Sequence, residues 1–220
     1  YSLGMFREAA RVERLLAAHF PGARCVRRAT KFTETMEGFE LAPAEPVRVR
    51  VKENGVAFEV AAGGGTKTGF YCDQRENRLA AAAFARGRKV LDLFSYTGGF
   101  GIYAMKAGGA AEATLVELDP EVSDLARRNA NINHARVETV CVDAFPYLRQ
   151  MIANEQRFGL VILDPYKLIA SREGYEEGRQ KYLDLNRLAF GVLEEGGVLL
   201  TCSCSGLLSW EEFQRIVRAS

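Results

Sequence analysis

Two cysteines close an apolar segment in the last part of the chain. Residues 198–202 form an apolar run that predicts a β-strand, and the sequence continues as Thr201-Cys-Ser-Cys-Ser-Gly206. A cysteine thiolate can add to C6 of a cytosine ring, which makes C5 reactive toward a methyl donor. Cys202 and Cys204 point the same way in an extended chain. Cys204 is the candidate nucleophile because it lies further beyond the strand, whereas Cys202 is expected to be a packing residue.

An Asp-Pro pair follows another apolar segment. Residues 160–163 predict a strand, and Asp164-Pro-Tyr-Lys167 comes directly after it. Proline makes the backbone rigid, so Asp164 would present its carboxylate and carbonyl groups to a cleft, although a simple turn explains the same residues. Lys167 is a candidate for lowering the pKa of the Cys204 thiol if the two side chains lie close together.

A glycine-rich segment follows the predicted strand 90–94. It reads Ser95-Tyr-Thr-Gly-Gly-Phe-Gly101, and glycines at such a place let a ligand approach the backbone and the next helix. The spacing from Gly99 to Ala104 also fits a dinucleotide loop, but such a loop starts directly at the strand end. Three residues intervene here, and Asp92 lies inside the strand. The segment therefore favours a loop for S-adenosylmethionine (SAM), with an ordinary tight turn as the simpler alternative.

Acidic residues mark two further strand ends. Glu117 ends the predicted strand 114–117, where a carboxylate can accept hydrogen bonds from both hydroxyls of a ribose. Asp119 precedes a proline and is expected to cap the next helix. Asp143, after the predicted strand 137–142, is a candidate both for the amino group of adenine and for a helix cap, and the sequence leaves the two roles open.

These strand ends belong to a regular alternation of strands and helices. The intervening helices are predicted at residues 74–86, 100–107, 120–132, 144–154 and 176–193. Such an order predicts an α/β fold, with a Rossmann-like parallel sheet covered by helices on both faces. Ligands bind beyond the carboxyl ends of the strands in these sheets, so the candidate residues are expected to share one cleft.

The first 65 residues are patterned differently. Apolar spacing predicts a helix over residues 5–20, and two alternating runs, 47–51 and 56–60, flank Asn54-Gly55. Asn-Gly between alternating runs is typical of a β-hairpin. The glycines at 63–65 suggest a joint. The sequence therefore predicts a small α+β appendage, part of a central substrate-binding domain, over 1–65 and a catalytic domain over 66–220.

The composition limits the partners and the compartment. Charges nearly balance, with 29 basic and 28 acidic residues, so a nucleic-acid partner is neither required nor excluded. No apolar run is long enough for a membrane span, and the first twenty residues do not resemble a signal peptide. Five cysteines without a Cys-x-x-Cys pair favour free thiols in the cytoplasm and argue against a structural zinc site. Basic residues cluster in the first part of the chain, and they either form a solvated face or contact phosphate groups. These residues are Arg24, Arg27, Arg28, Lys31, Arg48, Arg50 and Lys52.

In their order and spacing these motifs resemble the RlmI-like family of 23S ribosomal RNA cytosine-C5 methyltransferases, which are class I SAM-dependent enzymes. The resemblance covers roughly residues 24 to 220. The matching stretches are Lys67-Thr-Gly-Phe-Tyr-Cys-Asp-Gln-Arg75, Leu93-Phe-Ser-Tyr-Thr-Gly-Gly-Phe100, Asn129, Asp164-Pro165, Tyr182-x-Asp-x-Asn186 and Ser203-Cys-Ser-Gly206.

The resemblance implies a role for each matching position. It implies that Cys204 is the nucleophile, that Asp164 contacts the target base, and that the partner is 23S ribosomal RNA. Separately, we expect no metal, and a homodimer is a further possibility. From aromatic type alone, Tyr96, Phe100 or Tyr166 is expected to stack on a base flipped out of its helix. The residues expected to contact SAM are Gln74, Arg75, Asp92, Phe94, Tyr96, Thr97, Gly98, Gly99, Glu117, Leu118, Asp143, Ala144 and Asp164.

The chain also departs from the family pattern. Tyr166 stands where the family usually has a second proline, and the 220 residues do not include a match to the family's RNA-binding PUA domain, the front of its central domain or the last strands of a class I sheet. We therefore expect a truncated chain. The alternatives are methylation of another base atom, such as a guanine nitrogen, and a non-catalytic RNA-binding relative. A dinucleotide oxidoreductase is a more distant alternative.

Overall fold

The computed structural model describes residues 2–23, 25–42, 47–62 and 69–220, and it divides into two units. The first unit comprises residues 1–50 and 60–71, and the second comprises residues 51–59 and 72–220. The predicted joint at residues 63–65 falls outside the described residues, as do Arg24 and Lys67.

Short helices make up much of the first unit, namely α1 (Leu3–Arg7), α2 (Ala9–His19) and α3 (Lys31–Glu37). The sequence predicted one helix over 5–20, but the structure interrupts it at Glu8, the residue that caps the end of α1. The helix α3 was not predicted, although its cap is readable in the sequence. Thr30 accepts a hydrogen bond from the Thr33 amide at 3.1 Å.

A β-hairpin forms where Asn54-Gly55 predicted it. Its strands are β1 (Val47–Glu53) and β2 (Val56–Ala62). Asn54 and Gly55 have φ angles of 48° and 87°, as a type I′ turn requires, so the hairpin prediction is confirmed. The tip of the hairpin, residues 51–59, belongs to the second unit.

The second unit is built on a parallel sheet, as predicted. Within the described residues this sheet has five strands in the order β5-β4-β3-β6-β7. The strands are β3 (Lys89–Leu93), β4 (Glu112–Glu117), β5 (Glu138–Cys141), β6 (Phe158–Leu163) and β7 (Leu193–Thr201). The chain adds strands on one side of β3 and then returns to its other side, so a crevice opens between the ends of β3 and β6.

Helices cover both faces of this sheet. They are α4 (Arg75–Ala82), which follows a 3₁₀ turn at Cys72–Gln74, α5 (Gly99–Lys106), α6 (Pro120–Ile132), α7 (Ala144–Ala153), α8 (Tyr175–Gly191) and α9 (Trp210–Ala219). Leu91 belongs to a core cluster with residues of α7, α8 and α9, whereas its neighbour Val90 packs with residues of α4 and α5. The α/β prediction is therefore confirmed. None of the described helices is long and apolar enough to cross a membrane.

Candidate active site

The loop between β3 and α5 has an unusual backbone. Phe94, Tyr96 and Gly98 have φ angles of 59°, 48° and 82°, all in the left-handed region. A residue with a side chain pays about 1–2 kcal/mol for this conformation, so the surrounding structure must hold the loop in place. We call residues 94–98 the cofactor loop.

Two carboxylates hold the backbone of the cofactor loop and of the residues next to it. The buried Asp92 accepts a hydrogen bond from the Gly101 amide at 2.8 Å, and Glu117 accepts one from the Tyr96 amide at 2.9 Å. Burial raises the pKa of Asp92 to about 7, against the opposing effect of the Gly101 amide. Asp92 therefore lies beneath the start of α5, where it fixes the backbone next to the loop.

Glu117 also accepts hydrogen bonds from the backbone just beyond the end of β4. Its Oε1 atom accepts hydrogen bonds from the amides of Leu118 and Asp119 at 2.8 Å and 3.1 Å. A carboxylate has about four acceptor positions, so three backbone donors leave room for one ligand hydroxyl. The predicted contact of Glu117 with both ribose hydroxyls would require one of these amides to give way.

Asp119 and Asp143, the acidic residues that precede α6 and α7, cap the N-termini of these helices. Asp119 accepts hydrogen bonds from the amides of Glu121 and Val122 at 2.9 Å and 3.2 Å, so its predicted cap is confirmed. Asp143 accepts from the Phe145 amide at 2.8 Å and is exposed. Its capping role is confirmed, and its contact with adenine stays a prediction.

Asn129 joins the cofactor loop to the hairpin, a role that sequence analysis missed. This fully buried side chain of α6 donates from Nδ2 to the Thr97 carbonyl at 3.1 Å. Its Oδ1 atom accepts from the Glu59 amide of β2 at 2.7 Å. One turn later Asn133 accepts from the Ala57 amide at 2.9 Å and donates to the carbonyl of the same residue at 2.6 Å. The two side chains pair with β2 much as a neighbouring strand would.

Gln74 and Arg75 lie at the start of α4 but make different contacts. Gln74 Nε2 donates to Asp164 Oδ2 at 3.1 Å, which brings this amide to the end of β6. Arg75 is exposed and donates to the Asn54 side chain in the hairpin turn at 3.1 Å. Of these two residues, Gln74 is the one that contacts Asp164, which the sequence analysis assigned to the base pocket.

Cys204 and Asp164 come together at the ends of β7 and β6. The Cys204 side chain is exposed, and its Sγ atom lies 3.9 Å from the carbonyl oxygen of Pro165. Lys167 is also exposed and forms no ion pair with the residues that the structure describes, so its effect on the Cys204 thiol stays a prediction.

Cys202 has a more polar setting than a packing residue. Its amide donates to the Leu163 carbonyl at 2.9 Å, which places it beside Asp164. Burial, together with the neighbouring Asp164 carboxylate and against a lowering hydrogen bond from Gln74, raises the pKa of this thiol to about 12. Cys202 is half-buried and stays protonated at neutral pH, which leaves Cys204 as the more accessible of the two sulfurs.

The three aromatic candidates for base stacking differ in how far the structure buries them. Phe100 is buried in the core cluster that includes Ala81 and Ile162, so the prediction that it stacks on a base is wrong. It lies in the first turn of α5, on the face that packs against the sheet. Tyr166 is exposed and meets the ring of Phe94 edge-on, with the centroids 6.0 Å apart. Tyr96 is half-buried in the cofactor loop.

The cofactor loop also contains an unsatisfied polar group. Ser95 is buried, and its Oγ atom has no hydrogen-bond partner among the described residues. A buried hydroxyl is usually satisfied, so this atom fits a site that receives a polar ligand. Thr97 and Ala144 are buried, and Leu118 is exposed beside Glu117. Within the described ranges no group of His, Cys, Asp and Glu side chains is placed to hold a metal ion.

The chain is similar to several known proteins. The family model described as S-adenosylmethionine-dependent methyltransferase matches residues 29–211. Ribosomal RNA large subunit methyltransferase I of Aeromonas salmonicida is 44% identical over 178 residues, which are 80% of this chain and 44% of that protein. The protein of the same name from Pseudoalteromonas atlantica is 39% identical over 210 residues, or 92% of this chain and 53% of that one. The chain thus spans about half the length of the curated relatives it matches.

Solved structures show the same fold. SMU.776, crystallised in complex with SAH, aligns with a TM-score of 0.76 at 21% identity, over 98% of this chain and 57% of that one. A SAM-dependent methyltransferase from Agrobacterium tumefaciens aligns with a TM-score of 0.66 at 19% identity, over 82% of this chain and 59% of that one.

Proposed function

Because the chain belongs to the family of S-adenosylmethionine-dependent methyltransferases, we propose that it carries the catalytic part of an enzyme that methylates large-subunit ribosomal RNA. The curated relatives are named ribosomal RNA large subunit methyltransferase I. The proposed product is 5-methylcytosine in 23S ribosomal RNA. The observation that supports this product is the accessible thiol of Cys204 beside the Asp164-Pro165 turn.

The cofactor would lie between the cofactor loop and the ends of β4 and β5. Glu117 is proposed to bind the ribose, Asp143 the adenine amino group, and the Ser95 hydroxyl a polar group of the ligand. The resemblance that assigns Gln74 and Arg75 to the same pocket is compatible with the Gln74–Asp164 hydrogen bond. When bound there, SAM supplies an electrophilic methyl group and leaves as S-adenosylhomocysteine.

The residues of the chain would act on the base in a fixed order. The Cys204 thiolate adds to C6 of the cytosine and forms a carbon–sulfur bond, while Asp164 hydrogen-bonds or protonates the N3 edge. The electron pair pushed toward C5 makes that carbon the nucleophile for the methyl group. A base then takes the proton from C5, the carbon–sulfur bond breaks, and the thiolate is regenerated. The exposed Tyr166, which meets the ring of Phe94 edge-on, is proposed to stack on the extruded base.

Replacement of Cys204 tests this proposal. Cys204→Ala is expected to abolish methyl transfer to unmodified large-subunit RNA while SAM binding by calorimetry is retained. Cys25→Ala, which removes another exposed cysteine, is the matched control and should keep full activity. Full activity in Cys204→Ala would exclude the covalent route. Mass spectrometry of the product nucleosides should show 5-methylcytidine, and a methylated guanosine would replace the proposed base.

Cytoplasmic location and a homodimer remain predictions. Ribosomal RNA as the substrate and the exposed free thiols both favour the cytoplasm.

A further inference from the structure

The two serines that flank Cys204 bond to one buried hydroxyl. Tyr182 of α8 is fully buried, and its Oη atom lies 2.9 Å from Ser203 Oγ and 3.0 Å from Ser205 Oγ. The ring also meets Phe213 edge-on, with the centroids 5.8 Å apart. The phenol is therefore held from the ring side by packing and from the hydroxyl side by both serines.

These hydrogen bonds form a closed circuit. The Ser205 amide donates to Ser203 Oγ at 3.2 Å, and the Ser203 hydroxyl donates to Tyr182 Oη. Tyr182 Oη and Ser205 Oγ form the third bond, in which either hydroxyl can be the donor, and Ser205 Oγ also accepts from the Ile169 amide at 3.1 Å. Because the three oxygens are tied to one another and to two backbone amides, the circuit favours one conformation of residues 203–205.

This circuit determines the direction of the residue between the serines. The hydroxyls of Ser203 and Ser205 both reach the buried Tyr182 hydroxyl, whereas the side chain of Cys204 between them does not. Cys204 is exposed near Pro165, whereas Ser205 is buried. Without the phenol hydroxyl, the two serines would lose the group that draws them to the same side.

We propose that Tyr182 is a positioning residue that presents the Cys204 thiol to the crevice. This inference rests on the proposed function, in which Cys204 is the nucleophile. Tyr182 acts through the two serines and not on the substrate, because its hydroxyl is buried and bonded to both of them.

Two tyrosines of the same helix provide a matched test. Tyr182→Phe removes the hydroxyl of the circuit, whereas Tyr175→Phe removes a hydroxyl of α8 that bonds to Glu212 instead. We expect Tyr182→Phe to lower kcat by about 10- to 100-fold, since small displacements of a reacting group have effects of this size. The KM for SAM should not change, and Tyr175→Phe should keep the kcat of the unchanged protein.

The reactivity of the thiol separates positioning from a loss of stability. Alkylation of Cys204 by iodoacetamide, followed by fragment mass spectrometry that distinguishes Cys202 from Cys204, should be slower in Tyr182→Phe at temperatures well below its melting temperature. Ser203→Ala should lower kcat in the same direction, and combining it with Tyr182→Phe should add little because both changes break the same hydrogen bond.

Different variants test the positioning role of Tyr182 and the assignment of Cys204 as the nucleophile. Unchanged kcat and unchanged alkylation in Tyr182→Phe would overturn the positioning role even if Cys204→Ala is inactive. Full activity in Cys204→Ala would instead overturn the nucleophile assignment, on which the positioning role depends.

Discussion

The pair Asn129 and Asn133 allows a sharp test of how the cofactor loop is held. Both side chains bond to the backbone of β2, but only Asn129 also bonds to the Thr97 carbonyl in the loop. Replacing either residue with alanine breaks hydrogen bonds to β2. Replacing Asn129 should in addition release the loop, so the two variants separate stability from cofactor binding.

The magnitudes follow from the contacts. Asn129→Ala removes hydrogen bonds of 2.7 Å, 3.1 Å and 3.4 Å and leaves buried and part-buried partners unsatisfied, so it should lower the free energy of unfolding by about 3 kcal/mol. Asn133→Ala removes bonds of 2.9 Å and 2.6 Å to Ala57 and one of 2.8 Å to the Asn129 carbonyl, and it should cost a similar amount. Release at Thr97 frees its left-handed neighbour Tyr96, which must be ordered again on binding at about 1–2 kcal/mol. That cost corresponds to a roughly tenfold loss of SAM affinity in Asn129→Ala.

Urea unfolding and calorimetric titration with SAM measure the two quantities. Asn133→Ala is the control, because it should lose stability but bind SAM with the affinity of the unchanged protein. Equal SAM affinities of the two variants would show that the Asn129–Thr97 hydrogen bond does not hold the loop, and the reasoning above would be wrong.

Three further predictions concern the surroundings of the loop. Burial raises the pKa of Asp92 to about 7, above its value in the unfolded chain, so the folded state binds more protons between about pH 4 and pH 7 and stability should fall as the pH rises through that window. Asp92→Asn should flatten this part of a curve of stability against pH measured by denaturant unfolding. Arg78 and Glu53 form a buried ion pair with nitrogen–oxygen distances of 2.9 Å and 3.0 Å, so Arg78→Ala should lower the free energy of unfolding by about 3–5 kcal/mol. A smaller loss in the double variant Arg78→Met, Glu53→Leu would identify the unpaired Glu53 carboxylate as the cause. A Cβ atom at Gly101 would lie 2.1 Å from Leu115 Cδ2, so Gly101→Ala should cost about 1–3 kcal/mol in urea unfolding, whereas Gly206→Ala, which meets no atom within 4 Å, should have little effect.

The sequence could predict the parts of the structure that depend on local pattern. Strand ends with Glu117 and Asp164, the hairpin at Asn54-Gly55 and the cap at Asp119 each follow from a few neighbouring residues. The carboxyl ends of parallel strands meet at one edge, which is why residues far apart in sequence could be placed in one crevice.

The missed features depend on contacts between distant segments. The burial of Phe100 depends on which face of α5 packs against the sheet, and an aromatic residue type does not reveal that face. The clamp of Asn129 on β2 and the bonds of Tyr182 to both serines join residues 21 or more positions apart. The helix α9 had a readable signal, since Ser209 caps it by accepting from the Glu212 amide, a Ser-x-x-Glu spacing.

The side-chain amides on α6 also bear on how the hairpin behaves toward other molecules. A strand with unsatisfied peptide groups along its margin is a template for association with further chains. At Ala57 and Glu59 of β2 those groups are engaged by Asn133 and Asn129. Strand addition at these two residues is thus blocked by side-chain amides, and removing both amides would be expected to promote aggregate growth from this margin.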